Sequence, residues 1–336
     1  MATLAVGPTL LDVLGRVDPK GVPYRIAEML NKQMDILDDI PWIPANQKNK
    51  HLTSMRTGLP TAYWRSYNEG VPNSQSKTAI IEEPSAMAEA RSQIDAKLAA
   101  VNGNSATWRM SEESAFVESM GQTIVDCIFN GNHGADQKKF TGLATRFSST
   151  TAGNGQNVLL AGGSGSDNAS VYVVSWGEDR CHMFFPEGST AGLQMKDLGE
   201  QTVSDANGYR YQALESLYQW DAGFALRDWQ AVCRIANIDV SDWVGVTGTQ
   251  ATTASTNLIN LLIKALARVK KGGKTAIYCN RTIQEGLMIQ ALKQSSNALA
   301  VQPAISQFGD SIMNLTFMGV PVRTVDALSN AETLVS

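Results

Sequence analysis

Apolar positions recur at helical spacing in several well-separated stretches. In SEESAFVESMGQTIVDCIFNG (residues 111–131), Phe116, Met120, Ile124, Cys127 and Ile128 fall on one face, which predicts an amphipathic helix. Ser111 is its expected N-cap, Glu112 and Glu113 suit the positive end of its dipole, and Gly131 ends it. At 1.5 Å per residue such a rod spans roughly 28 Å. A similar stripe, Ile26, Met29, Leu30, Ile36 and Leu37 in YRIAEMLNKQMDILDDI (24–40), predicts an amphipathic helix on a terminal arm. That arm either reaches another molecule or folds back on its own domain. Ile94, Leu98 and Val101 predict a short helix over 92–104, closed by Asn102-Gly103. Leu258, Leu262, Leu266 and Val269 share a face of a helix capped by Ser255 or Thr256, with Lys270 and Lys271 at its negative end. Asn280 caps another helix, over 281–294.

Strand patterns fill the intervals. SVYVVSWGEDRCHMFFP (170–186) reads as a buried strand, a turn and a second strand, and 209–238 as aromatic and β-branched strand pieces that form the protein's sheet. KTAIYC (274–279) and VPVRTVDAL (320–328) complete an α/β tail. Before the last of these, Gly319 permits a sharp bend and Pro321 lacks an N–H at a strand entry, where proline is tolerated.

Two stretches break the pattern. HLTSMRTGLPTAYWRSYNEGVPNSQSKTAIIEEP (51–84) offers strand-like pieces at 52–57, 61–67 and 78–82, joined by Gly/Pro turns and poor in aliphatic residues. A ribbon so polar cannot carry its own core, because an isolated two-stranded hairpin is marginal in water. Its Arg56, Tyr63, Trp64, Arg65, Tyr67 and Lys77 are the candidate contacts to another surface, together with Ile26, Leu30 and Ile36 on the arm. Residues 131–170, rich in Gly, Ser, Asn and Thr, read as a long surface excursion.

With 336 residues the chain is long enough for two structural units. Its net charge of −4 gives no general positive field for a polyanion. Cys127, Cys181, Cys233 and Cys279 are far apart and fit neither a C-x-x-C metal site nor a dense disulfide framework, so they read as buried thiols of a reducing cytoplasm. No basic region precedes the short apolar run of the first residues, as a secretory signal requires, and no apolar run reaches membrane-spanning length.

The catalytic candidates are weak. Gly273-Lys274-Thr275 resembles the tail of a phosphate-binding loop, but Arg268 stands where the first glycine belongs and the element order is helix then strand. GGSGS (162–166) lacks the last glycine of a nucleophile elbow. His182, in alternating CHMFF, reads as a packed histidine, whereas His51 and His133 lie in turn-rich segments and read as solvated. The adjacent carboxylates Asp38-Asp39, Glu82-Glu83 and Glu112-Glu113 read as helix-start or turn charges. LYQWDAGFALRDWQAV (217–232) reads as aromatic packing within a sheet, since no interleaved lysines mark a base-stacking platform. No metal, cofactor or catalytic residue is expected.

The order of parts is an arm, a polar ribbon, a rod helix, a sheet and an α/β unit. In that order RTGLPTAYWR (56–65), SEESAFVESMGQTIVDCIFNG (111–131), TGLATRF (141–147), VYVVSWG (171–177), WDAGFALRDWQAVCRIANID (220–239) and FMGVPVRTVDAL (317–328) resemble the major capsid proteins of tailed double-stranded-DNA phages, in the short-tailed branch. The resemblance implies an α+β fold of the Hong Kong 97-like kind. It implies an N-terminal arm (1–43), an extended β-hairpin loop (44–84), a peripheral domain with the spine helix and an antiparallel sheet (85–240), and an axial-domain region with returning peripheral elements (241–336). The strands of 209–238 precede the Gly-x-Pro-Val segment, so the implied topology is permuted. Further implications are pentamers and hexamers of the chain itself in an icosahedral virion shell, assembled in the host bacterial cytoplasm without enzymatic activity. A portal, a scaffolding protein, a cement or decoration protein and non-specifically held double-stranded DNA are the implied partners, with no membrane. Lys48, Lys50 or Lys77 could supply the amine of an inter-subunit cross-link, but nothing fixes its partner and none is expected. The alternatives are a cytoplasmic α/β enzyme built on residues 240–336 and a nanocompartment shell protein.

Overall fold

The computed structural model describes residues 34–100, 105–205, 207–244, 251–270, 272–293, 299–305 and 311–336. A short helix α1 (Ile36–Asp39) and strand β1 (Trp42–Pro44) lead to the ribbon strands β2 (Lys50–Gly58) and β3 (Lys77–Asp95). Helices α2 (Ala96–Ala100), α3 (Ser105–Asn130) and α4 (Leu143–Arg146) follow. Next come β4 (Val158–Leu160), β5 (Asn168–Trp176), β6 (Cys181–Phe185), β7 (Gln194–Ser204), β8 (Arg210–Leu226) and β9 (Val232–Asp239). Helices α5 (Val240–Val244) and α6 (Ala251–Arg268), strand β10 (Lys274–Cys279), helix α7 (Arg281–Lys293) and strands β11 (Leu299–Ile305), β12 (Ser311–Phe317) and β13 (Val320–Thr324) complete the order.

Among the described residues the strands form two sheets where the sequence pattern suggested one. The first has six strands, ordered β1-β6-β8-β3-β2 with β7 also pairing β8; the second has seven, ordered β11-β12-β13-β10-β5-β9-β4. Strands β5 and β6, separated by a tight turn, enter different sheets instead of forming a hairpin. A boundary at residue 240 passes through the second sheet, since β4, β5 and β9 precede it and β10 to β13 follow it.

Period-two alternation explains the layering. On β5, Val171 and Val173 face a core built with Leu258, Leu262 and Ala265 of α6 and Ile283 and Leu287 of α7. Tyr172, Val174 and Trp176 face the opposite core, with Ile124, Val125, Ile128 and Phe129 of α3. The strand is therefore buried on both faces, and its nearly unbroken apolar run follows. Helix α3 joins the sheets: Phe116 stacks on Tyr218 of β8 with ring centroids 5.6 Å apart, and Phe129 meets Tyr172 of β5 at 5.3 Å. Fully burying one such side chain contributes roughly 1.5–3 kcal/mol. On β3, Ala86, Ala88 and Ala90 pack toward this core while Met87, Glu89 and Arg91 face outward.

Several sequence expectations are revised. Helix α3 begins at Ser105, so Ser111 lies within it and is no cap; Arg109 binds Glu113, Asp197 and the Ser216 hydroxyl, tying the added turn to β7 and β8. Among the described residues of 92–104 the helix is confined to α2, because β3 stays paired to β8 through Asp95, whose carboxylate accepts from the backbone N–H groups of Lys97 and Leu98. Val101 lies outside the described residues. The stretch 131–170 is not wholly a surface excursion, since Phe140, Leu143 and Phe147 anchor it in the core and β4 pairs with β9. Met318 and Gly319, at φ 51° and 81°, form the two-residue turn between paired Phe317 and Val320, where both central residues need positive φ.

Candidate assembly surface

The ribbon grows out of the first sheet because β3 has two partners in succession. Residues 77–84 pair with β2, and residues 85–95 pair with β8. At the changeover, the Ser85 N–H and hydroxyl both donate to the Asn49 carbonyl, at 3.1 and 2.8 Å. Asn46 holds the approach to β2: its Oδ1 accepts from the Leu52 N–H at 2.8 Å and its Nδ2 donates to the Leu52 carbonyl at 2.7 Å. Glu83, buried at the root, is gripped by both terminal nitrogens of Arg146 at 2.7 and 2.6 Å. A bidentate charge-assisted pair of this kind is both strong and orientationally specific. Glu83 is therefore no solvated turn charge.

Beyond the root the ribbon has no second layer. Residues 59–76 contain no strand and are exposed throughout. Tyr63 is 50%, Trp64 103% and Tyr67 98% exposed, and Leu59, Val71 and Ile80 are exposed as well. The hydrogen bonds of Ser66 and Ser74 go to Glu69 and Thr61, within the loop itself. Asn68 takes φ 63° in the 66–69 turn, a conformation asparagine tolerates better than most residues. The tip region carries Arg56, Arg65 and Lys77 against one carboxylate, Glu69. Large aromatics interleaved with arginine are the side chains that anchor protein interfaces.

The structure brings Arg56, Tyr63, Trp64, Arg65, Tyr67 and Lys77 onto this one projection, all exposed. Ile36 is different: it is 0% exposed within the subunit's own core, so it has no surface to offer a neighbour. Ile26 and Leu30 lie outside the described residues. At the end of α1 the Asp39 side chain is fully buried, against Lys274 Nζ at 2.9 Å and Arg323 Nε at 3.4 Å, with the Tyr278 hydroxyl donating at 2.9 Å. Sequence reasoning missed Leu59, Val71 and Ile80 as exposed apolar positions of the projection, and Met87 as one on the outer face of the body sheet; Met87 was legible from its alternation with Ala86 and Ala88.

The aromatic and cysteine candidates and two of the three histidines are packed. The aromatic stretch of β8 stacks inside the molecule, with Trp220 against Trp42 at 6.0 Å and Phe224 against Trp176 at 6.4 Å. His133 pairs with the Lys139 carbonyl. His51 corrects its sequence reading, being buried on β2 against His182 and Phe184. All four cysteines are buried free thiols; burial pushes Cys127 up to about 11, and Cys233 and Cys279 up to about 12. Among the described residues no group of three or more His, Cys, Asp or Glu side chains could hold a metal, and no helix is long and apolar enough to cross a membrane.

A two-sheet α+β body joined by a rod helix, with an unsupported ribbon projecting from it, is the build of a phage capsid subunit. The chain superposes on a protein of bacteriophage Epsilon15 with a TM-score of 0.73 and 28% identity, covering 100% of this chain and 99% of that one. It also superposes on the bacteriophage JBD30 capsid at a TM-score of 0.50 and 7% identity, covering 89% and 93%, a likeness of fold alone. Comparison with curated protein sequences gave no match. The sequence matches the family of the major capsid protein GP7 over residues 18–336, and the chain belongs to that family. It is a building block of an icosahedral phage capsid and a component of the virion.

Proposed function

We propose that the chain assembles into pentamers and hexamers, with the ribbon of each subunit lying across its neighbour. The observation that carries this is the full exposure of Trp64 and Tyr67 on a ribbon whose own strands give it nothing to pack on. Heterologous contacts that close into rings suit such a projection, because a donor surface and a different acceptor surface repeat around the axis. In this reading residues 44–84 are the extended loop, residues 1–43 an arm beneath the neighbour, and α3 the spine of the peripheral part. The second sheet with α6 and α7 is the axial layer, which draws β4, β5 and β9 from before residue 240. The chain acts by association and turns over no substrate. Its other partners are a portal, a scaffolding protein, a cement or decoration protein, and packaged double-stranded DNA touched without sequence readout. The net charge of −4 suits a wall that leaves the polyanion free to move. Assembly takes place in the host bacterial cytoplasm.

Light scattering and negative-stain microscopy of the purified chain test the reading. The wild type is expected to form very large closed particles, and a variant with 61–75 replaced by a short Gly-Ser link to remain as folded subunits. Particles from that variant at wild-type yield would overturn the ribbon contact.

A further inference from the structure

At the point where the ribbon leaves the sheet, two histidines pack against each other away from solvent. His51 on β2 and His182 on β6 are 6% and 0% exposed, with ring centroids 5.1 Å apart at 83° between planes. The Phe184 ring covers His51 from another side at 5.3 Å. None of the four ring nitrogens has a hydrogen-bond partner within the protein. A buried polar ring without partners is tolerable while neutral and strongly disfavoured when charged.

The charges around the pair offer little relief. Directly across the ribbon from His51 stands Glu83, but its carboxylate is already held by Arg146. Arg227, at the end of β8, bonds the Glu178 carbonyl and the Asp179 carboxylate, and its charge opposes a proton on either ring. Arg180 is turned to the Ser175 hydroxyl and the Lys270 carbonyl, and Lys50 to Glu82 on the exposed side of the ribbon. The Gly177 and Glu178 carbonyls favour a proton on His182 without meeting hydrogen-bond geometry to its nitrogens.

We propose that the His51–His182 pair is an acid-operated latch at the root of the ribbon: two neutral rings hold β2 against β6, and a proton on either one releases the root and frees the ribbon to swing. Burial, then the neighbouring His51 and Arg227, push His182 down from 6.5 to about 4, and burial also lowers His51. The opened root takes a proton at an ordinary histidine value, so the closed form has its full stability above about pH 6.5 and loses it as the pH falls toward 4. Because His182 is the deeper ring, it sets the lower end of this window. The latch belongs to the single chain; its effect on assembly rests on the ribbon contact proposed above.

Hydrogen exchange on the dispersed, unassembled full-length chain separates the two ideas, since no neighbour is present. Corrected for intrinsic rates, amides of 50–58 and 77–84 are expected to open more at pH 5 than at pH 7.5, by roughly thirty-fold for a shift of this size. Amides of α3 and β5 should hold their protection, and the double variant His51→Phe/His182→Phe should remove the pH response at the root. Flat protection at the root, an equal loss across α3 and β5, or a root response that persists in the double variant would each overturn the latch. If the double variant does not fold, an NMR titration of the wild-type histidines decides. A midpoint for His182 well below 6.5 is expected, and ordinary midpoints for both rings sink the proposal.

Discussion

Trp64 and Trp176 are the same side chain in opposite surroundings. Trp64 stands fully in solvent on the ribbon, whereas Trp176 is buried between β5 and the core of the first sheet, its indole N–H donating to the Tyr278 hydroxyl at 2.7 Å. That hydroxyl donates in turn to Asp39, so the indole N–H of Trp176 and the hydroxyl of Tyr278 are both satisfied inside one subunit. The difference lies in layers. Strand β5 has α6 and α7 on one face and α3 on the other, while beyond Thr53 and Ile81 the strands β2 and β3 have only each other. A wide apolar ring needs a second layer to leave water, and on the ribbon that layer must come from elsewhere.

The largest expected effect breaks the buried side of this comparison. Trp176→Ala should destabilise the isolated subunit by about 4 kcal/mol, from lost burial and the cavity left between sheets, as read by the urea midpoint at constant slope. The Tyr278 hydroxyl, deprived of one partner, adds to the loss. A small change would mean that the sheets do not share the core described here.

Next in size is the root of the ribbon. Arg146→Ala leaves the buried Glu83 carboxylate without its bidentate partner, and about 3 kcal/mol of subunit stability should go with it. Arg146→Lys should restore only part, because an ammonium cannot make the paired geometry. A subunit as stable as wild type would show that Glu83 is solvated in place. Gly223→Ala tests the same sheet end, since a Cβ there would lie 2.2 Å from the Phe184 ring. A loss of roughly 1–3 kcal/mol is expected from that overpacking, seen as a lower thermal midpoint.

Much of this body was legible in the sequence. The stripe from Phe116 to Ile128, the doubly buried run of β5 and the Asn280 cap, whose Oδ1 accepts from the Ile283 N–H, follow from local spacing. Partner choice did not. Alternation tells which residues of β3 share a face, but not that the strand changes partner at residues 84 and 85. Glu83 and Asp39 read as turn or helix-start charges and His51 as solvated because what buries them is remote: Arg146 is 63 residues from Glu83, and Tyr278 is 239 from Asp39. The ribbon was legible for the opposite reason, as a segment whose own composition offers it no core.

A smaller effect concerns the thiols. Burial raises all four, so at pH 8 the native subunit should react with a disulfide reagent far more slowly than a free thiol, and urea should release four fast equivalents. A fast equivalent in the native subunit would place one cysteine in an open site.

The smallest expected effect on the subunit is at the tip, where the comparison is sharpest. Trp64→Ala removes the same atoms as Trp176→Ala, yet no layer of its own chain covers them, so the urea midpoint should not move. Assembly should respond instead, with particle yield falling in Trp64→Ala and further in Trp64→Ala/Tyr67→Ala, because aromatic anchors concentrate interface energy. Arg65→Ala should weaken assembly most at low salt, since an exposed cation acts over a range that salt shortens. If Trp64→Ala instead lowered subunit stability as much as a core tryptophan does, the tip would be packed on its own body. The ribbon would then have no unmet surface to bring to a neighbour.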